Sequence, residues 1–261
     1  GGTCLNVGCI PSKSLLNLSE NYHSVLKHYN GLGIEVENVK LNLKKMMMRK
    51  EKSVSILTKG VEFLFKKNKV TYLKGKGSIV SPNKVSVENN GKKIDYNSKN
   101  IVISTGSKPS SLPKINIDEK IVVSSTGALS FNKVPKNLII IGGGYIGLEM
   151  GSIWKRFGAN ITVIEYLDHI VPGMDQDISK EFLKILTKQG INFKLNSKVI
   201  RINVQRDSAI IEHINNQTSK KEIMEADKVL DADQRKPNTK DLNCLLYTSH
   251  AADERLGVDH G

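Results

Sequence analysis

The chain has little from which to build a disulfide scaffold, a membrane span or an aromatic platform. Its 261 residues include three cysteines, one tryptophan and only 5% aromatic residues in all. Three cysteines exclude the stapled frameworks of small secreted domains, and a reducing compartment is the default for such a chain. No apolar run reaches the ~20 residues that a bilayer-crossing helix needs, so no membrane partner is expected. Aromatics this sparse give no stacking surface for single-stranded nucleic acid. No secretory signal opens the sequence, which begins inside a motif. The net charge is +13, yet no block of five or more like charges occurs. The lysines stand singly or in pairs, as in Lys44-Lys45, Lys66-Lys67 and Lys92-Lys93, among many Asn and Ile. That scatter reads as a Lys-rich composition rather than a basic face, and no nucleic-acid partner is expected.

An apolar content of 39% over this length is enough for one or two domains with their own cores. Residues 12–29 carry Leu15, Leu16, Leu18, Tyr22, Val25 and Leu26 at helical spacing behind Pro11, which suits a first helical turn. Residues 42–68 predict a longer helix, with Met46-Met47-Met48 as core and packing edge rather than a metal site. From Val70 the period changes to two. Short strands are predicted at 70–73, 77–80 and 84–87, with Asn89-Asn90-Gly91 as a hairpin signal. Ile101-Val102-Ile103-Ser104 predicts a buried strand, and Pro109 and Pro113 mark a linker.

A second unit follows from about residue 119. Strands are predicted at 138–141, 161–165, 191–195 and, near 208–213, one more; helices are predicted at 148–157 and 176–189. Such alternation argues for a parallel sheet. At the first of these strands the sequence runs Gly142-Gly143-Gly144-Tyr145-Ile146-Gly147, and Glu165 ends the next strand. A bare GxGxxG is weak, but here it follows a buried strand and opens a helix, with an acid ~20 residues on. Gly142 permits a tight turn, Gly144 lets a pyrophosphate approach the backbone, and Gly147 allows close helix–strand packing. The helix N-terminus offers N–H groups to that pyrophosphate. A carboxylate at Glu165 accepts from a ribose diol and repels a 2′-phosphate, which favours NAD over NADP.

Two cysteines, Cys4 and Cys9, are separated by four residues at the start of the first predicted helix. A crosslink that local gains little from loop closure, so the pair reads as redox chemistry rather than architecture.

Together these segments resemble the pyridine nucleotide–disulfide oxidoreductases, and within them the members that oxidise dihydrolipoamide. The resemblance rests on Gly-Gly-Thr-Cys-Leu-Asn-Val-Gly-Cys-Ile-Pro-Ser-Lys at 1–13, Thr105-Gly106-Ser107, Ser124 to Ser130, the glycine loop and Lys188-Gln189-Gly190. It implies an α/β fold: an incomplete FAD-binding domain over 1–118, then a Rossmann-like NAD-binding domain over 119–243. It also implies that Cys4 exchanges with the disulfide of lipoamide and Cys9 lies beside the flavin. Lys13 and Glu149 match an ion pair near the flavin. Gly77, Thr105, Gly106 and Ser107 match flavin-contacting backbone, and Val199 a position lining the NAD site. Tyr145 either gates the nicotinamide face of the flavin or packs there.

The implied cofactors are FAD and NAD. The implied partners are lipoyl domains of 2-oxoacid dehydrogenase complexes or the glycine cleavage carrier protein, with a homodimer when intact. The implied compartment is the mitochondrial matrix in a eukaryote and otherwise the cytoplasm. The upstream flavin GxGxxG, the downstream Gly-Asp motif and the C-terminal dimerisation domain with its His–Glu pair are not in the sequence. A fragment is therefore expected, one that does not turn over alone. Polar residues at 231–234 intrude on an expected buried strand, with Gln234 where the family has glycine. Residues 244–261, with Cys244, read as a non-native, adapter-like tail.

Overall fold

Four consecutive apolar residues, Leu138–Ile141, organise the second unit by pointing alternately to the two faces of a sheet. In the computed structural model, which describes residues 2–110 and 115–243, two helices come first: α1 (Thr3–Val7) and α2 (Cys9–Lys27). A 3-10 turn at Tyr29–Leu32 leads to α3 (Leu43–Lys67), whose first turn is capped by Asn42 accepting from Lys45 N–H at 3.0 Å. An antiparallel meander follows, β1 (Lys76–Ser81), β2 (Lys84–Asn89) and β3 (Lys92–Asn97). Its β2–β3 turn carries Asn90 and Gly91 at φ 51° and 76°, the left-handed pair that the hairpin signal requires. Next come β4 (Ser107–Ser110), β5 (Val122–Val123), α4 (Ser125–Ala128), β6 (Asn137–Ile141) and α5 (Tyr145–Arg156). The chain continues through β7 (Asn160–Ile164), α6 (Gln176–Lys188), β8 (Ile191–Lys194) and β9 (Ser197–Val204). It then forms β10 (Ala209–Asn215), β11 (Lys221–Ala226), β12 (Lys228–Asp231) and β13 (Gln234–Pro237).

The central sheet has strand order β5-β12-β6-β7-β8, all parallel. Leu138 and Ile140 meet Leu148, Met150, Ile153 and Trp154 of α5 on one face. Ile139 and Ile141 meet Ala209, Ile211 and Ala226 of the antiparallel β9–β11 sheet on the other. The second unit is thus helix, parallel sheet and antiparallel sheet in three layers. Trp154 is fully buried, and its Nε1–H donates to the Ala128 carbonyl at 3.1 Å, so the large ring brings no unpaired polar atom into the core. The first unit leans on the second through α2, which packs on both α3 and α5. Met46 and Met47 pack against the same core, and Met48 is exposed.

Several sequence expectations are corrected. Residues 70–73 and 101–104 form no strand, and Val102 is 85% exposed. Apolar character supplies a face but not a ladder; among the described residues no strand runs beside either segment. The expected linker includes β4, which pairs antiparallel with β13 despite Pro109. The helix after the glycine loop begins at Tyr145, three residues early, because the loop itself supplies its N-terminal cap. Strand β12 accepts Asp231 at its buried end, between β5 and β6. Pro113 and the proposed tail at 244–261, with Cys244, lie outside the described residues.

Candidate functional site

Gly8 eases the turn that forms the redox pair. A Cβ there would sit 3.1 Å from the Thr3 carbonyl oxygen and 3.2 Å from the Cys4 Cα, so a side chain would crowd the turn between α1 and α2 and push its neighbours by a few tenths of an ångström. The turn brings the Cα atoms of Cys4 and Cys9 to 4.6 Å, and the two sulfurs are bonded. Cys9 is the first residue of α2, where unpaired N–H groups and the helix dipole favour a thiolate once the bond is reduced.

One helical turn further, Lys13 pairs with Glu149 of α5. Ser12, buried beneath, has the other Glu149 oxygen at 3.0 Å and the Cys9 carbonyl at 3.2 Å as acceptors for its single hydroxyl proton, the charged carboxylate being the stronger. Glu149 therefore receives two donors from α2, and the glycine-loop helix is fastened to the redox helix. Cys4, Cys9, Lys13, Ser107, Tyr145 and Glu149 all line one cavity of about 280 Å³. Leu129, Ile146 and Met150 make its apolar wall. An open, partly apolar cavity beside a disulfide and an ion pair fits a flat aromatic ring such as that of a flavin. Tyr145, 68% exposed, borders the cavity without being packed away.

Ser107 lines the same cavity, and Thr105 and Gly106 lead into it. The Thr3 hydroxyl donates to the Ser107 carbonyl at 2.9 Å and accepts from the Ser107 N–H at 3.2 Å. A Cβ on Gly106 would come within 2.6 Å of the same hydroxyl. The Thr105 hydroxyl donates to the Asn238 carbonyl at 2.8 Å. Arg235 of β13 also reaches Ser107: its Nε–H donates to Ser107 Oγ and its Nη2 to the Ser107 carbonyl, each at 2.8 Å. Sequence reasoning identified neither Arg235, Thr3 nor Ser12 as a site residue, although Thr3 and Ser12 lie in the 1–13 motif that carries the family resemblance. Their side chains act on partners far away in sequence.

The glycine loop sits where β6 meets α5. Gly142 has φ 99°, and a Cβ there would lie 3.0 Å from the Asp233 Cα. A Cβ at Gly147 would lie 2.4 Å from the Gly142 carbonyl oxygen. At Gly144 nothing stands within 4 Å, so this is the open member, and the residues fit a pyrophosphate laid against the helix N-terminus. Glu165 is buried at 7% exposure, accepting from the Gly143 N–H at 2.5 Å and the Leu167 N–H at 2.8 Å. Each carboxylate oxygen keeps a second lone pair for another donor. Asp231 and Glu165 stand near Asp233, whose carboxyl is raised above the usual range, first by burial and then by those two charges.

Two predicted positions lie apart from the cavity. Gly77 is on β1 opposite Val87, with open space where a Cβ would be. Val199 is on β9 and packs on the Ile139–Ile141–Ile164 cluster, two residues after Ser197, whose N–H donates to the Glu165 carbonyl at 2.8 Å.

A family model for pyridine nucleotide-disulphide oxidoreductases matches residues 1–259. The chain is 56% identical over 261 residues to a dihydrolipoamide dehydrogenase of Chaetomium thermophilum, covering 99% of this chain and 50% of that protein. It is 49% identical over 244 residues to a mitochondrial dihydrolipoyl dehydrogenase of Pisum sativum, covering 93% and 49%. Among solved structures, the HOCl-induced flavoprotein disulfide reductase RclA from Escherichia coli, as its Cu(II) complex, superposes with a TM-score of 0.76 at 27% identity, covering 93% of this chain and 50% of that one. The chain thus spans about half the length of the curated relatives it matches.

Proposed function

The chain belongs to the pyridine nucleotide-disulphide oxidoreductase family, and from that premise we propose that it is part of a dihydrolipoyl dehydrogenase. The observation that carries this reading is the single cavity lined by the Cys4–Cys9 disulfide, the Lys13–Glu149 pair and Tyr145. A thiolate of a dihydrolipoyl group attacks Cys4 Sγ and releases Cys9 as a thiolate. The second substrate thiol then displaces Cys4, so the substrate leaves as a cyclic disulfide and both enzyme sulfurs are reduced. FAD, when bound, supplies the route by which that electron pair leaves the dithiol and reaches NAD+. The N-terminal turn of α2 and Lys13 favour negative charge at Cys9. Ser12 and Lys13 hold Glu149, and through it α5, at a fixed offset from the sulfurs.

We assign residues 1–118 to the flavin side and 119–243 to the NAD side. The backbone of Thr105, Gly106, Ser107 and Gly77 meets flavin. Gly142, Gly144, Gly147, Glu165 and Val199 meet NAD, and the buried Glu165 carboxylate supports NAD over NADP. The physiological partners in this reading are lipoyl domains, the assembly is a homodimer, and the compartment is the mitochondrial matrix, a reading supported by relatives named as mitochondrial. Among the described residues no helix is long and apolar enough to cross a membrane.

The test uses the complete gene product. It should reduce NAD+ with dihydrolipoamide, prefer NAD+ to NADP+, and lose turnover on Cys4→Ser. Retained turnover in that variant, or a preference for NADP+, would overturn the assignment.

A further inference from the structure

Charge in the redox cavity is unbalanced. The charged residues lining it are Lys13 of α2, Glu149 of α5 and Arg235 of β13; Tyr145 of α5 is the remaining titratable one. α1 and α4 contribute Thr3, Cys4, Val7 and Ser125, none of them charged, and β4 contributes Ser107. α3, which also packs on α1, contributes no lining residue. Lys13 is matched by Glu149. Arg235 makes no ion pair among the described residues: its two hydrogen bonds there are to neutral oxygens of Ser107. A guanidinium held by a hydroxyl and a carbonyl keeps its full charge, and its remaining N–H groups are free to act at the cavity.

Its anchor leads directly to the sulfurs. Ser107 takes Arg235 on both Oγ and the carbonyl, and the same carbonyl accepts from Thr3, the residue before Cys4. The arginine comes from the return strand of the second unit, and the cysteine loop from the start of the first. We propose that Arg235 is a positioning and charge-setting residue for the Cys4–Cys9 couple: it fixes the Thr3–Cys4 turn through Ser107, and its unpaired charge stabilises the thiolate formed when the disulfide is reduced. This inference rests on the thiol relay proposed above.

The prediction concerns ionisation, so it is read without nucleotide or lipoamide. After reduction, iodoacetamide labelling of the tryptic peptide that ends at Lys13, which holds both cysteines and excludes Cys244, gives the pH midpoint of the reactive thiol. Arg235→Gln keeps a donor to Ser107 without the charge, and should raise the midpoint by about one pH unit. Arg235→Lys keeps the charge without the fork, and should restore the midpoint to near that of the parent. Near-UV circular dichroism from Trp154 reports that each variant is folded, and Arg235→Met serves as the neutral variant if the glutamine form is not. A midpoint unchanged in a folded neutral variant, or equally raised in the lysine variant, would overturn the proposal. Either result would leave the relay reading untouched, since that is judged by turnover of Cys4→Ser.

Discussion

Asp233 is a residue whose chemistry runs against its position. Burial, Asp231 and Glu165 all push its carboxyl upward, so the folded protein holds that proton more tightly than the unfolded chain does. A raised folded value contributes stability that is complete below the ordinary carboxylate value of 3.8 and is lost as pH rises through the folded value. At neutral pH the charge therefore opposes folding. Asp233→Asn should raise the Tm at pH 7 by about 2 °C. The advantage should vanish when the melts are repeated below pH 3.8; a variant that melts lower at pH 7 would refute this account. Nothing in the sequence marked the position beyond its polarity: Asp231 is two residues away, but Glu165, just after β7, is brought near only by the sheet. By contrast, Cys4, Cys9, Lys13 and Glu149 were legible, since each sits in a contiguous motif. What was not legible was Ser12, whose hydroxyl reaches 137 residues along the chain to Glu149.

At the scale of elements, the strand–loop–helix unit of β6, the glycine loop and α5 separates two roles that one motif conflates. Gly147 is closed in: an added methyl meets the Gly142 carbonyl and Ile140 Cγ2 at 2.4 and 2.9 Å. Gly144 faces open space at φ −73°, a conformation any residue adopts. Gly147→Ala should lose about 1–3 kcal/mol of stability in urea melts, as overpacking does. Gly144→Ala should cost stability about 1 kcal/mol or less, the loss of a favourable N-cap residue, yet weaken NAD+ binding at least ~10-fold in a fluorescence titration. Equal effects on both properties in both variants would contradict this division. The long helices and the glycine loop could be read from sequence because their signals are local: period 3.6, caps, and a turn residue at each end. The β4–β13 ribbon could not. Ser107–Ser110 contains a proline and no apolar residue besides it, and its partner lies more than a hundred residues away. Segments 70–73 and 101–104 failed in the opposite way. Their composition is that of strands, but composition specifies a surface, and pairing needs a neighbour.

Across the whole molecule the two units are unequally buried. The second carries nearly all of the fully buried apolar side chains, while α3 and the segments after it leave Leu57, Val61, Phe63, Leu64, Val70, Tyr72, Leu73, Val102 and Ile103 exposed. An apolar surface of that extent is unusual on a folded chain. The 261-residue chain should therefore enhance ANS fluorescence several-fold over a well-folded control while keeping the near-UV signal of Trp154. Weak ANS binding with that signal intact would mean the surface is covered in solution.

The bonds from Thr3 and Arg235 to Ser107 span 104 and 128 residues, and this separation has a bearing on how the protein is made. Contacts of such long range are the last a growing chain can form, because their partners emerge far apart in time. The cysteine turn is translated among the first residues described, yet its clasp is complete only once Arg235 has left the ribosome. Until Ser107 has emerged the reactive sulfurs are tethered by neither neighbour, and until Arg235 follows they have only the Thr3 bond, so oxidant encountered in that interval meets an open thiol rather than a seated one.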